Sequence, residues 1–177
     1  MFAVDSRHTE IPDYFIPYLV AAEDHRSPHH FGIDPVGMLR AFYIGFTTNK
    51  VQGASTIEQQ FVRVVTNDYS HSLLRKFREQ LLAIALSNQR SKNDIAKAYL
   101  AIAYYGYNRE GADGIAKVIG KELQLISEDQ VISIISRLKY PKPRHLSREW
   151  NEKSYWRGRY IKQRHKKAAN KLIVGGR

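Results

Sequence analysis

Apolar residues recur along most of the chain at the three- and four-residue spacing of an α-helix, not at the alternate spacing of a strand. The pattern predicts seven helices, and the clearest covers residues 72–89, where one stripe contains Leu73, Leu74, Phe77, Leu81, Ile84 and Ala85. The others are expected at residues 11–25, 35–46, 56–66, 91–105, 131–138 and 150–172. Nothing in the pattern requires a sheet, so the predicted architecture is mainly α.

Residues that commonly cap helices stand at the predicted helix starts. Asp34 precedes the second helix, Ser55 or Thr56 the third, and Ser91 the fifth. Ser127 and Gln130 have the spacing of a capping box before the sixth helix. The Tyr-Pro-Lys-Pro run at residues 140–143 then breaks the chain ahead of the last helix.

The chain has 177 residues, of which 43% are hydrophobic, enough for one domain with a real core. No stretch approaches the roughly 18 uninterrupted apolar residues of a membrane span. Cysteine is absent, which excludes disulfides, thiol catalysis and thiolate metal sites.

The net charge of +11 lies almost wholly in the C-terminal segment. Residues 137–177 hold 14 Lys and Arg against two acids, whereas the preceding residues are nearly balanced. Such a segment favours an anionic lipid surface, nucleic acid or diphosphate groups. Aromatic residues lie between these cations, as at a membrane interface or a single-stranded nucleic-acid site: Trp150, Tyr155, Trp156 and Tyr160. A solvated basic helix is the alternative.

Three stretches carry residues suited to chemistry. In EDHRSPHHFGID, residues 23–34, Glu23 ends an apolar helix, and partial desolvation there suits a carboxyl group to acid–base work. The histidines that follow, with Asp24 or Asp34, have the residue types of a metal site, but no second cluster completes a tetrahedral set. A polar loop between helices is the more common outcome for such a stretch.

The second stretch is QGASTIEQQ, residues 52–60, a small-residue loop that leads into paired glutamines. The third is RKFRE, residues 75–79, where Arg75 and Glu79 have the spacing of a helical surface ion pair. Taken alone, this stretch favours the surface ion pair. Two separated carboxylates with nearby cations could instead form an acid–base pair beside an anionic leaving group.

The order of these stretches, followed by SKxxIxxxYL from Ser91, resembles the peptidoglycan glycosyltransferases, glycosyltransferase family 51. The resemblance covers roughly residues 11–143. It implies a lysozyme-like helical domain with a cleft and a smaller membrane-facing lobe. The implied reaction polymerises lipid II into glycan strands, inverting the donor sugar and releasing undecaprenyl diphosphate. The implied partners are lipid II, the growing glycan chain and the bacterial membrane surface, with no nucleic acid expected.

The resemblance also assigns residues. Glu23 matches the general base, and Glu79 matches a second glutamate that positions the donor near its diphosphate. Residues expected to bind substrate are Arg26, His30, Ser55, Gln59, Gln60, Arg63, Arg75 and Lys76. Among them, His30, with Gly32, is expected to shape the cleft loop. No cofactor is obligatory, although a divalent cation, Mg²⁺ or Mn²⁺, is allowed at the diphosphate.

Several positions depart from the family pattern. Ser27 replaces an aromatic residue, Lys97 an acid and Ala101 an asparagine, and His71 stands at a position that is often basic. Glu58 replaces Thr or Ser and is expected to be a bystander on the outward face. These changes keep two alternatives open: a non-catalytic or variant relative that binds lipid-linked precursor, and a lysozyme-like glycan hydrolase.

The predicted organisation is a transglycosylase domain at residues 1–143 and a basic aromatic segment at residues 144–177, expected to be a helix of the same domain. The resemblance places the protein at the periplasmic face of the bacterial inner membrane. It would be peripheral there, or joined to an anchor that this sequence lacks.

Overall fold

The computed structural model describes residues 11–48, 53–119 and 126–175, with the side chains beyond residue 171 left out. These residues form eight α-helices and one two-stranded antiparallel sheet, which confirms the mainly α prediction. The helices are α1 Ile16–Glu23, α2 Pro35–Thr48, α3 Ile57–Thr66, α4 Leu73–Gln89, α5 Lys92–Ile102, α6 Gly111–Ile119, α7 Glu128–Lys139 and α8 Arg148–Gly175. The strands are β1 Tyr104–Gly106 and β2 Arg109–Glu110.

Capping residues define most of the helix starts, as the sequence predicts. Thr56, rather than Ser55, caps α3, and its side chain forms a capping box with Gln59. Ser91 caps α5, and Ser127 forms the predicted capping box with Gln130 at α7. At α3, the capping box satisfies the first backbone N–H groups and thereby positions the start of this helix.

Two predicted helices differ clearly from the structure, and one helix was missed. The first predicted helix is a 3₁₀ turn at Asp13–Phe15 followed by α1, and the fifth ends at Ile102, just before β1 begins at Tyr104. The missed helix is α6, whose first turn contains Gly111 and Gly114. Gly111 has a φ of 58°, and a Cβ there would lie 2.4 Å from the carbonyl oxygen of Ala101. Glycine at position 111 therefore allows the backbone of α6 to approach that of Ala101. Its weak helix propensity explains why the sequence pattern did not predict this helix.

The core lies between α1, α3, α5, α7 and α8. Helix α3 packs against α4 and α5, while α8 packs against α1 and α7. Fully buried residues from separate elements meet there, among them Phe15, Leu19, Leu100, Ile134 and Ile161. The basic C-terminal helix is thus anchored to the rest of the domain by Ile161, which has no exposed surface.

Helices α2 and α4 leave large apolar side chains exposed. On α2 these include Leu39, Phe42 and Phe46, the last with 85% of its surface exposed. The stripe predicted on α4 is also mostly exposed: Leu73, Leu74, Phe77 and Leu81. Helix α4 instead buries Glu79, Ala83 and Leu86. Among the described residues, none of the helices has the length and hydropathy needed to cross a membrane.

Candidate active site

A cleft of about 850 Å³ runs between the loop that precedes α3, the C-terminal end of α7 and one face of α8. Glu23 lies in its wall, where α1 ends. Three residues predicted to bind substrate also line the cleft: Ser55, Gln60 and Arg63. The structure therefore brings together the predicted base and part of the predicted binding set.

Both carboxylate oxygens of Glu23 accept hydrogen bonds. Arg157 Nη2 donates to Oε1 at 2.6 Å, and Gln60 Nε2 donates to Oε2 at 3.2 Å. The Gln60 amide is held in turn by Tyr99, whose hydroxyl donates to Gln60 Oε1 at 2.8 Å. Only 15% of the Glu23 side chain is exposed, so the carboxylate faces the cleft from a largely desolvated wall.

Glu79 lies beside the cleft at the centre of three cations. Arg63 donates to it through Nε at 2.9 Å and Nη2 at 3.1 Å, a bidentate arrangement. Arg75 and Lys76 each approach it to 2.5 Å. Burial alone would raise the pKa of Glu79, but the hydrogen bonds from Arg63, Lys76 and Arg75 and the Lys76 charge lower it to about 2.

This cation cluster has a surplus of positive charge, because one carboxylate is shared by three cations. Lys76 Nζ and Arg63 Nη2 also lie 3.2 Å and 3.4 Å from the Ser55 hydroxyl oxygen, at the edge of the cleft. Helix α3 carries both Gln60, which contacts Glu23, and Arg63, which binds Glu79. One helix therefore joins the predicted base to an anion-binding cluster.

Five of the predicted substrate ligands lie outside the lining of the cleft: Arg75 and Lys76, which contact Glu79, and three residues that hold the cleft loops. Gln59 is buried, with its side-chain oxygen on the backbone N–H of Thr56. His30 is buried against Asp24, with Nε2 2.9 Å from the carboxylate. Arg26 is held by Asp34 at 3.0 Å. Their roles in binding substrate stay predictions, and the contacts that they make position the cleft loops.

Gly32 provides the close packing expected of the loop that follows His30. Its φ is 101°, and a Cβ there would lie 2.4 Å from the carbonyl oxygen of Ala83 on α4. Thr56 Oγ1 donates to the Gly32 carbonyl at 2.6 Å. The loop is thereby attached to both α3 and α4.

The expectation that Glu58 is an outward-facing bystander was wrong. Glu58 is 1% exposed, and its Oε1 accepts a hydrogen bond from Lys92 at the start of α5. Lys92 Nζ also lies 3.2 Å from His30 Nδ1, to which the Gly32 N–H donates at 3.3 Å. Both donors make Nδ1 an acceptor, so Nε2 is the donor to Asp24.

Two metal hypotheses can be compared with these contacts. The predicted cluster of histidines with Asp24 or Asp34 contributes Asp24 and His30 to a group in the described residues that also contains Glu58. Their three ligand atoms lie within 4.8 Å of one another, but the Lys92 ammonium already bonds to His30 and Glu58. At the cleft, Glu23 and Glu79 both have Arg or Lys partners. The residues present at either place do not fit a metal ion, and the divalent cation stays a prediction without a role in the steps below.

Removing Lys92 and removing Glu58 should lower the free energy of unfolding by different amounts. Lys92→Met should lower the free energy of unfolding by about 3 kcal/mol, because it leaves Glu58 charged, buried and unpaired. Glu58→Thr should cost less, about 1 kcal/mol, because the side chain of Lys92 is 33% exposed and can reach water. Urea unfolding of both variants measures the difference, with the exposed Lys153→Met as a matched control. Equal losses for the two variants would contradict this interpretation.

The other departures from the family pattern lie away from the cleft lining. Lys97 forms an ion pair with Asp13 at 2.7 Å, and Ala101 is buried within α5. Ser27 is buried in the 3₁₀ turn that follows α1, and His71 is exposed before α4. The loss of an acid at Lys97 therefore leaves the cations around Glu79 with their carboxylate.

Sequence reasoning missed three residues at the site: Tyr99, Lys92 and Arg157. Tyr99 and Lys92 lie within the fourth motif, so their place in the resemblance was a signal for both. Arg157 is separated from Glu23 by 134 positions and lies in a helix rich in arginine and lysine. Local pattern alone does not distinguish it from its neighbours.

The helical fold, the partly desolvated carboxylate and the adjoining cation cluster define a class: a mainly α domain with a candidate acid–base carboxylate beside a concentration of positive charge. Comparison with known proteins identifies the family. The sequence model described as "Transglycosylase" matches residues 4–166. The chain therefore belongs to the peptidoglycan transglycosylase family, glycosyltransferase family 51, which confirms the resemblance, the lysozyme-like fold and the glycosyltransferase class.

Named relatives agree with this assignment. The chain is 36% identical to penicillin-binding protein 1A of Aquifex aeolicus over 134 residues, 75% of this chain and 18% of that protein. It is 34% identical to penicillin-binding protein 1A of Escherichia coli over 134 residues, 75% of this chain and 16% of that protein. A monofunctional glycosyltransferase of Staphylococcus aureus is 35% identical over 106 residues, 60% of this chain and 39% of that protein. The chain thus spans less than a fifth of the penicillin-binding proteins.

Proposed function

We propose that the protein polymerises lipid II into glycan strands, with inversion at the donor sugar and release of undecaprenyl diphosphate. One observation supports this most strongly: α3 joins Glu23, through Gln60, to the three cations around Glu79, through Arg63. A sugar transferred from a diphosphate needs a base at the attacking oxygen and positive charge at the leaving group. Glu23 and Arg63 line the cleft together, and Arg75 and Lys76 lie beside Arg63 around Glu79.

In the proposed reaction, Glu23 accepts the proton of the acceptor sugar hydroxyl. The acceptor oxygen forms a bond with the anomeric carbon of the donor, and the bond from that carbon to the diphosphate oxygen breaks. The electron pair leaves with the diphosphate, whose charge is stabilised by Arg63, Arg75 and Lys76. Glu79 orients these cations through direct hydrogen bonds and, with a pKa of about 2, stays ionised rather than transferring protons.

The two alternative functions have less support. A glycan hydrolase of the two-carboxylate type needs a second carboxyl group that exchanges protons or attacks the sugar, and Glu79 is fully occupied by cations. A non-catalytic binder was suggested by Lys97 and Ala101, yet both lie away from the cleft lining. Catalytic transfer is therefore the function that the cleft supports best.

The test uses labelled lipid II in detergent, with and without the phosphoglycolipid inhibitor moenomycin. Gel electrophoresis should reveal glycan polymer that moenomycin suppresses. Binding of lipid II without turnover would support the non-catalytic alternative. Release of soluble muropeptides from preformed peptidoglycan would support the hydrolase.

A membrane surface is the proposed location, because the donor carries a long lipid chain. The exposed apolar residues of α2 and α4 would enter the lipid, and the basic aromatic helix α8 would lie near anionic headgroups. By analogy with the cell-wall enzymes to which the chain is similar, this surface is the periplasmic face of the inner membrane.

Vesicle binding should depend on α2. A Phe42→Ser/Phe46→Ser variant should bind phosphatidylglycerol-containing vesicles roughly tenfold more weakly, because two exposed aromatic side chains no longer enter the lipid. Co-sedimentation measures this, and Leu146→Ser, an exposed apolar residue before α8, is the matched control. Equal binding by the double variant would exclude α2 as the contact.

A further inference from the structure

Arg157 reaches from α8 to the end of α1 and is fixed there on three sides. Its Nη2 donates to Glu23 Oε1 at 2.6 Å and to the carbonyl oxygen of Ala22 at 2.9 Å. Its guanidinium carbon lies 5.2 Å from the centre of the Tyr160 ring. Only 9% of the Arg157 side chain is exposed. Such a side chain is held in one orientation by contacts that an exposed arginine lacks.

The two oxygens of Glu23 consequently have different surroundings. Oε1 accepts a short, charge-assisted hydrogen bond from Arg157, whereas Oε2 accepts a longer bond of 3.2 Å from the neutral amide of Gln60. That amide cannot turn over freely, because its oxygen accepts the Tyr99 hydroxyl. Burial raises the pKa of Tyr99 well above its ordinary value, so the phenol keeps its proton and stays a donor.

We propose that Arg157 is a positioning residue that reserves Oε2 of Glu23 as the atom that accepts the proton. This rests on the proposed function. A proton placed on Oε1 would face the N–H of a cation and would remove the strongest hydrogen bond of the carboxylate. On Oε2, the proton disrupts only a weaker bond to an amide. The acceptor hydroxyl therefore approaches Oε2, on the side of Gln60.

The C-terminal helix α8 is part of the site. It packs along α1 and α7 and lines the cleft with Arg157. Glu23 lies between α3 and α8, with one oxygen held from each. Its orientation therefore depends on the packing of both helices.

The test replaces Arg157 with glutamine and with lysine and measures polymerisation of labelled lipid II in detergent. Arg157→Gln should lower kcat roughly 100-fold with KM changed less than about threefold, because a misplaced base slows the chemical step more than binding. Arg157→Lys, which keeps the charge, should recover part of kcat. Arg159→Gln makes the same chemical change two positions away, where the arginine contacts only the exposed Tyr155, and should leave kcat unchanged.

A double variant distinguishes action through Glu23 from a separate effect. In a Glu23→Gln background, Arg157→Gln should cause no further loss of kcat, because the group that it positions is gone. An additional loss there, or an unchanged kcat in Arg157→Gln with the normal Glu23, would overturn the inference. A rise in KM alone would do the same, since it would make Arg157 a substrate ligand. Full activity of Glu23→Gln alone would instead refute the base assigned under the proposed function.

Discussion

Replacement of Glu23 with glutamine is expected to lower the rate of lipid II polymerisation by about 10²–10⁴-fold while leaving the fold intact. Glutamine keeps the size of the side chain and can still accept a hydrogen bond from Arg157, so α1 and α8 should stay packed together. It cannot accept a proton from the acceptor hydroxyl. The loss should therefore appear in kcat, with the affinity for lipid II little changed.

The matched control for this variant is Glu110→Gln, which makes the same chemical change at an exposed position of β2. It should polymerise lipid II at the rate of the unaltered protein. Thermal unfolding of both variants monitors the fold. Full polymerisation by Glu23→Gln would remove Glu23 from the role of base and with it the proposed reaction.

Replacement of Glu79 with glutamine should reduce both activity and stability. Three cations would lose the carboxylate that holds them together, and their mutual repulsion would move the donors away from the diphosphate. Loss of one preorganised donor typically lowers rates 10²–10³-fold, so a decrease of roughly 100-fold is expected here. The lipid II assay measures it.

Glu79 also predicts a dependence of stability on acid. Its pKa is about 2 in the folded protein against an ordinary value of 4.5, so its ionised form stabilises the fold above about pH 5. The contribution, about 3 kcal/mol from this shift, should disappear as the pH falls from about 5 to about 2. Urea unfolding across this range should give a shallower pH dependence for Glu79→Gln than for the unaltered protein.

Glu149→Gln is the control for the acid experiment. Its hydrogen bond with Lys153 lowers the pKa of Glu149 too, but both groups are exposed, so solvent screens the pair. This variant should follow the unaltered protein from pH 5 to pH 2. A Glu79→Gln variant with an unchanged pH profile would show that the cluster does not stabilise the fold through this carboxylate.

Much of the helical framework was accessible from the sequence because its signals are local. Capping by Ser91 and Ser127 depends on side-chain and backbone groups three residues apart. The missed helix α6 and part of the pairing of the short strand β1 depend on contacts with residues that are not their neighbours in the chain. Position 111 must be glycine because the carbonyl oxygen of Ala101 leaves no space for a Cβ atom. The end of β1, at Gly106, forms a backbone bridge with Lys142.

Burial was harder to predict than helix formation. The apolar stripe on α4 identified a helix correctly, yet its large side chains are exposed and its buried face holds Glu79. Glu58 has the opposite outcome, a charged residue enclosed beside Lys92. Hydrophobic periodicity identifies a helix face, but the tertiary neighbours determine whether that face meets protein, water or lipid.

The sequence by itself determined the family and the mainly α class and supplied Glu23 and Glu79 as candidate carboxylates, because ordered motifs and helical periodicity are properties of residues close together in the chain. Only the tertiary structure decided which groups surround those carboxylates. The contact between Glu23 and Arg157 joins residues 134 positions apart, and it exists because α8 packs against α1. Hydrogen bonds of a few ångströms depend on such packing, which no spacing in the sequence encodes.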